Sequence, residues 1–265
     1  MRIPRLFTIG VFMTTLIGGS VAAAGPAGAA TVRYVALGDS YSSGVGAGNY
    51  DPASGSCQRS PNAYPAKWAA AHSPASFSFT ACSGARTTDV LNGQLGPLNS
   101  DTTLVSIIVG GNDAGFSSVM ETCVLGSDSA CLTAVAGAQA VAQNVLPGRL
   151  DTLFSTIHSR ASSAHVVVLD YPHLYKITSL CVGLSNTKRT ALNNAADTLD
   201  ATISAAAGRA GFAFSDVRDD FAGHELCSAD GWLHSVTIPI GESYHPTARG
   251  HSSGYLPAFT ASAAG

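Results

Sequence analysis

Five short apolar runs, each stopped by a turn and followed by a helix-like stretch, constrain this chain more than any other feature. The first, Val32–Leu37, ends abruptly at Gly38-Asp39-Ser40. Phe77–Ala81 is the second, with Phe77 and Phe79 on one face, and it ends at Cys82-Ser83-Gly84. Leu104–Val109 is the clearest and stops at Gly110-Gly111-Asn112-Asp113, Val166–Leu169 stops at Asp170-Tyr171-Pro172, and Phe212–Phe214 is a short fifth. Runs of this length, rich in Val and Ile and lacking strict alternation, read as strands buried on both faces. Between them the pattern predicts helices over Ala63–Ala71, Thr88–Leu91, Ala130–Ala161 and Thr187–Ala207, with a last one from Pro246-Thr247 to Phe259. Pro147-Gly148 should break the third, and Leu192, Ala195, Ala196, Leu199 and Ile203 form an inward stripe on the fourth.

Strands alternating with helices imply a parallel sheet covered on both faces. The expected architecture is a three-layer α/β/α sandwich, flavodoxin-like, with a five-stranded parallel sheet in the order 2-1-3-4-5. In that order strands one and three flank the switch point, where ligands bind outside the carboxyl ends of strands. The endings of strands one, two and three then meet at one place.

Not all 265 residues belong to this domain. Arg2 and Arg5 precede an apolar run, Leu6–Ile17, and small residues follow up to Ala29-Ala30. This is the three-part pattern of a secretory signal peptide over residues 1–30, with cleavage near Ala29 or Ala30 and a mature domain of 31–265. As a membrane span the run falls short of about 20 apolar residues. Removing it leaves 12 Lys+Arg against 17 Asp+Glu, a formal charge of −5. With no basic run or patch, nucleic acid is not an expected partner. A chain 46% hydrophobic and 12% charged can bury a core and is not disordered by composition.

All six cysteines lie after the export segment, so a disulfide framework is expected. Order and loop length favour Cys57–Cys82, Cys123–Cys131 and Cys181–Cys227 among the fifteen possible pairings. No Cys-x-x-Cys or paired histidines argue for a metal. His224-Glu225-Leu226-Cys227-Ser228 starts like a zinc-protease helix and lacks its second histidine.

The converging strand ends carry a hydroxyl, a glycine N–H and a side-chain amide, the groups that acyl transfer needs. A nucleophile attacks a carbonyl, and donors at about 2.7–3.1 Å hold the oxyanion that results. Ser40 is the candidate nucleophile, and Gly84, Asn112 and the N–H of Ser40 itself are the candidate donors. Gly38-Asp39-Ser40 and Gly110-Gly111-Asn112 taken singly are also ordinary turn sequences. A serine hydroxyl needs a base. Of eight histidines, His245 in Glu242-Ser243-Tyr244-His245-Pro246 sits on a loop before the last helix, where it can lean over the strand ends. His173, after strand four, is the other possibility, and a loop histidine bonded to backbone is the bland one. Gly44, Val45 and Gly46 are candidates for an acyl-binding wall.

Gly38-Asp39-Ser40 with its Tyr-Ser-Ser-Gly extension, Gly84, Gly110-Gly111-Asn112-Asp113 and His245-Pro246 resemble, in order, the four motif blocks of the SGNH (GDSL-type) hydrolases. The resemblance is close to the secreted lipases and esterases of Streptomyces-type actinobacteria and covers essentially the whole mature chain. It implies Ser40 as nucleophile, His245 as base, and an oxyanion hole of Ser40 N–H, Gly84 N–H and the Asn112 side chain. It implies no cofactor, a small-molecule ester or lipid as substrate, and at most transient contact with lipid interfaces. The three sequential disulfides are similar to those of this subgroup, and a monomer is the default. In the wider family an Asp often stands three residues before the histidine; here that position is Glu242. Either Glu242 orients His245, or the backbone carbonyl of Ser243 does, as it does in close relatives of the subgroup. The second reading is favoured and makes a Ser–His dyad. Phospholipase A1, thioesterase and polysaccharide deacetylase are alternatives on the same machinery, and a secreted binding domain is the non-enzymatic one.

Overall fold

A computed structural model describes Met1 and residues 31–264; the predicted signal peptide, Met1 apart, lies outside the described residues. The unit Thr31–Gly265 contains five strands: β1 (Arg33–Gly38), β2 (Ser76–Phe79), β3 (Leu104–Ile108), β4 (His165–Leu169) and β5 (Ala213–Ser215). Its α-helices are α1 (Ser40–Ser43), α2 (Tyr64–His72), α3 (Thr87–Gly93), α4 (Phe116–Leu125), α5 (Asp128–Asn144), α6 (Leu146–Arg160), α7 (Asn186–Ala210) and α8 (Leu256–Ala263). All strand pairs are parallel, in the order β2-β1-β3-β4-β5. Gly38 stands beside Ile108 in register, so β1 and β3 end side by side.

Tyr34 organises one face of the sheet. Its ring packs against Trp68 of α2 at 5.3 Å, Phe77 of β2 at 5.1 Å and Phe259 of α8 at 5.4 Å. Its hydroxyl is paired with Ser106 at 2.6 Å, which explains a buried serine inside an otherwise aliphatic strand. On the other face α6 buries Leu150, Leu153, Phe154 and Ile157, spaced at helical period. There α6 packs between α3 and α7, and α4 and α5 pack beyond α7.

Two helix boundaries differ from the periodicity. The region predicted as one helix from Ala130 to Ala161 is α5 and α6, broken at Val145. Pro147 lies in the first turn of α6, where its missing N–H costs no helical bond. α4 is a helix that the pattern did not predict. It begins after Gly115 in a left-handed conformation (φ 82°), and Gly115 with Ser117-Ser118 imitates a loop. The last helix starts after Pro246-Thr247, because Pro246 is held in an antiparallel bridge to Leu233. Thr247 Oγ1 then accepts the Gly250 N–H at 3.1 Å, and the helix widens into a π segment, Gly250–Tyr255, before α8.

Disulfides join Cys57 to Cys82, Cys123 to Cys131 and Cys181 to Cys227. The first ties the loop after β2 to the segment before α2, and the second links α4 to α5. Among the described residues, no helix is long and apolar enough to cross a membrane.

Candidate active site

The chain leaves β1 through a turn that only glycine permits. Gly38 has φ +122°, and a Cβ there would stand 2.3 Å from the Ile108 carbonyl oxygen. The Gln94 side chain bonds both its N–H and its carbonyl at 2.8 Å. Asp39 caps α1: Oδ1 accepts the Tyr41 N–H at 2.9 Å. Ser40 is therefore the first residue of a helix, and its own N–H has no intrahelical acceptor. Asp39 Oδ2 accepts the Tyr171 hydroxyl at 2.5 Å. Burial outweighs both donors and pushes the Asp39 carboxyl up to about 7.

His245 reaches this turn from the other end of the chain. Its Nε2 lies 2.8 Å from Ser40 Oγ, and its Nδ1 lies 3.0 Å from the Ser243 carbonyl oxygen. A carbonyl can only accept, so Nδ1 carries the proton and the Nε2 lone pair faces the serine hydroxyl. Burial pushes the imidazole down to about 4, against the opposing pull of the Ser243 carbonyl, so it is neutral at neutral pH. The loop is held under strain. Tyr244 adopts φ +65°, a costly conformation for a bulky residue. Its carbonyl accepts the Tyr41 hydroxyl at 2.6 Å and its N–H donates to the His234 carbonyl at 2.9 Å.

The Glu242 carboxylate is engaged elsewhere: Oε1 accepts the Tyr50 hydroxyl at 2.6 Å, and Tyr50 in turn accepts the Gly46 N–H at 2.9 Å. Gly46 sits beneath the histidine loop, where a Cβ would stand 2.7 Å from the Pro246 carbonyl oxygen. The segment Gly44–Gly46, a candidate acyl-binding wall, thus packs under the His245 loop. His173, the alternative base, pairs with Asp197 at 2.8 Å away from the serine.

On the far side of Ser40, Asn112 uses one amide N–H on the Ala85 carbonyl at 3.1 Å, which leaves the other to donate. This bond joins the loops after β2 and β3. Gly84, the residue before Ala85, is in the left-handed region at φ +77°. Asp113 locks the same loops: it accepts from Thr87 N and Oγ1 at 2.9 and 2.7 Å and pairs with Arg149 at 3.0 Å. A pocket opens beside Ser40 and Asn112 and runs between α5 and α7. Its free volume is only about 80 Å³, so it is a narrow slot. Gly84 lies outside its lining, on the adjoining loop.

A buried serine hydroxyl facing a neutral imidazole, with free amide donors beside it, can perform acyl transfer. The model of the GDSL-like lipase/acylhydrolase family matches residues 36–252. The chain belongs to this family. It is 55% identical to Lipase 1 of Streptomyces coelicolor over 98% of this chain and 100% of that protein. The crystal structure of phospholipase A1 from Streptomyces albidoflavus NA297 superposes with a TM-score of 0.87 at 58% identity, covering 88% of this chain and 100% of that one. The extracellular lipase of Streptomyces rimosus gives 0.86 at 58% identity, with 87% and 99% covered.

Membership makes this acylhydrolase a carboxylic-ester hydrolase. Sequence reasoning missed several residues around its site. Tyr171 stands two residues beyond strand four, in a region where ligand-facing residues gather, and so was open to discovery. Tyr41 adjoins the serine itself. Tyr50 gave no signal, since 192 residues separate it from Glu242. The expected inward stripe of α7 is there, with Leu192, Leu199 and Ile203 buried in the core, and its Leu192, Ala195, Ala196 and Leu199 also line the pocket.

Proposed function

We propose that this acylhydrolase is a secreted esterase or lipase that cleaves acyl esters through a Ser40–His245 dyad and an acyl-enzyme. His245 Nε2 takes the Ser40 proton as Oγ attacks the ester carbonyl. The tetrahedral oxyanion is met by the N–H of Ser40, the N–H of Gly84 and the free N–H of Asn112, each such donor being worth roughly 3 kcal/mol of barrier. The imidazolium, its Nδ1–H held by the Ser243 carbonyl, returns the proton to the departing alcohol. Water then repeats the sequence on the acyl-enzyme, and His245 again serves first as base and then as acid.

The observation that carries this reading is the pair of contacts made by His245, 2.8 Å to Ser40 Oγ and 3.0 Å to the Ser243 carbonyl. A fluorophosphonate probe tests it. Stoichiometric labelling at Ser40 is expected, with labelling and p-nitrophenyl butyrate hydrolysis both abolished in Ser40→Ala. An unlabelled wild-type protein would make it a binding domain. Secretion rests on the signal pattern of residues 1–30 and is tested by N-terminal sequencing of protein from the culture medium, which should begin at Ala30 or Thr31.

A second reading, hydrolysis of phospholipid acyl esters, is favoured by the 58% identity to a phospholipase A1. Side-by-side turnover of dioctanoyl phosphatidylcholine and trioctanoin separates the two.

A further inference from the structure

We infer that two loops, 177–184 and 235–241, form a docking surface by which the enzyme settles on an uncharged lipid surface and takes its ester from there. The choice of occupant rests on the reading of the site as an ester hydrolase; the exposure of the loops stands without it.

Both loops leave from the carboxyl-end edge of the sheet, beside the serine. The first continues from Leu174 and Tyr175 after β4, and Leu174 is in the wall of the slot. The second is an excursion between His234 and Tyr244, whose backbones pair. Tyr244 N–H donates to the His234 carbonyl at 2.9 Å, and His234 N–H donates to the His245 carbonyl at 2.9 Å. This loop therefore stands on His245 itself. The Tyr175 and Tyr244 rings, at the feet of the two loops, lie 6.4 Å apart.

Neither loop carries a charge, and what they show to water is hydrocarbon. Leu180 is 89% exposed, Val182 95% and Ile238 94%, with Ile177, Val236 and Ile240 exposed beside them. These side chains are held outward. Arg189, buried in α7, grips the first loop from below: its guanidinium donates to the carbonyls of Thr178, Cys181 and Val182 at 3.3, 2.8 and 3.2 Å. Cys181 is also bonded to Cys227. In the second loop Ser243 Oγ accepts the Thr237 N–H at 3.0 Å, and Ser243 N–H donates to the Ile240 carbonyl at 3.1 Å. A buried cation and a disulfide thus keep apolar groups in water that unguided collapse would tuck in.

The chemistry of the loops selects the occupant. None of the six side chains lines the slot beside Ser40, so an ester bound there leaves them uncovered. Anionic surfaces are held by clusters of Lys and Arg; these loops have none, and the chain carries a formal charge of −3. Six side chains on two separate tips fall short of the roughly 20–30 residues a side that a stable protein interface takes. They suit insertion into a fluid layer of hydrocarbon chains, where each is buried without shape matching. Docked in this way, the enzyme faces Ser40 towards the layer in which water-insoluble esters collect.

The test uses vesicles of a dialkyl-ether phosphatidylcholine, which holds no ester to cleave. In cosedimentation the wild-type enzyme should bind them with an affinity that changes by less than about twofold between low and high salt. Leu180→Ser combined with Ile238→Ser should weaken binding roughly 100-fold, since burying one such side chain is worth about tenfold or more. Each single variant should lose about tenfold and reports if the double variant does not fold. Turnover of emulsified trioctanoin should fall in parallel, while kcat/KM on monomeric p-nitrophenyl acetate stays at the wild-type value. Val145→Ser, exposed at the C-terminal end of α5, should bind as wild type does. Unchanged binding in the double variant would overturn the docking surface, as would an equal loss on p-nitrophenyl acetate or binding that high salt abolishes. A wild-type dimer that the double variant splits into monomers would overturn it too and assign the loops to a second copy of the chain. A wild-type enzyme that binds the vesicles yet cleaves no ester would overturn the reading of Ser40 and leave the docking surface standing.

Discussion

Tyr171, two residues beyond β4, holds Asp39 at the start of the Ser40 turn: its hydroxyl donates to Asp39 Oδ2 at 2.5 Å and accepts the Gly111 N–H at 3.0 Å. One buried side chain thus fastens the serine turn to the loop that carries Asn112. Tyr171→Phe keeps the ring against Tyr41, now 5.0 Å away, but leaves a buried carboxylate oxygen and a buried N–H unpaired. Each costs about 1–3 kcal/mol, so urea denaturation should show a loss of about 2–6 kcal/mol. With Ser40 and Asn112 no longer fixed to one another, kcat on p-nitrophenyl butyrate should fall about tenfold, with little change in KM. A stability loss with unchanged kcat would restrict Tyr171 to a structural role.

Glu242→Ala tests what steadies the imidazole. Its carboxylate is bonded to Tyr50 and the Ser243 carbonyl holds Nδ1. Activity should therefore stay within about fivefold of wild type, with about 1 kcal/mol of stability lost from the Tyr50 contact. A fall in kcat of several powers of ten in a folded variant would make Glu242 a third triad member.

The pH profile should report the burial of His245. In the proposed dyad its neutral form is the base, and burial takes its folded pKa down to about 4 against an ordinary 6.5. kcat/KM should stay flat down to about pH 5 and drop towards pH 4; a midpoint near 6.5 would mean a solvated imidazole. The same shift bears on stability. The unfolded chain binds the proton more readily, so stability present above pH 6.5 is lost as pH falls towards 4, of order 3 kcal/mol for this group. Asp39, raised to about 7, acts with the opposite sign: its contribution is lost as pH rises from 4 to 7. Urea denaturation of wild type against His245→Gln at pH 5 and pH 7 isolates the histidine as a difference.

Reduction of Cys57–Cys82 should reach activity before the core. Cys82 stands two residues before Gly84, its N–H donates to the Gly38 carbonyl at 3.0 Å, and Ser83 N–H donates to the Cys57 carbonyl at 3.1 Å. The bridge therefore anchors the loop offered as part of the oxyanion site, and closing its 25-residue separation is worth about 3.5 kcal/mol to the fold. In a reductant titration hydrolysis should decline at lower concentration than the fluorescence of Trp68 and Trp232. Coincident curves would remove the local role.

Much of the framework was legible because it rests on local physics. β-branched runs ended by glycine mark buried parallel strands, and the order of strands and helices leads to the sheet order observed. Boundaries moved where tertiary contacts overrode periodicity. Pro246 entered a bridge with Leu233 in place of a helix, and α4 formed behind a glycine that imitates a loop.

For the site, sequence alone determined the residue types and their places at strand ends: Ser40, Gly84 and Asn112 follow β1, β2 and β3, and His245 follows the last irregular stretch. The structure decided the partners. Which acceptor meets His245 Nδ1 depends on a left-handed Tyr244 and on Tyr50 drawing Glu242 away. Where the inward stripe of α7 borders a pocket depends on α5 standing opposite it. Hydrogen bonds and cavities between residues 50 to 205 positions apart arise only when the chain closes on itself, and no local pattern encodes them.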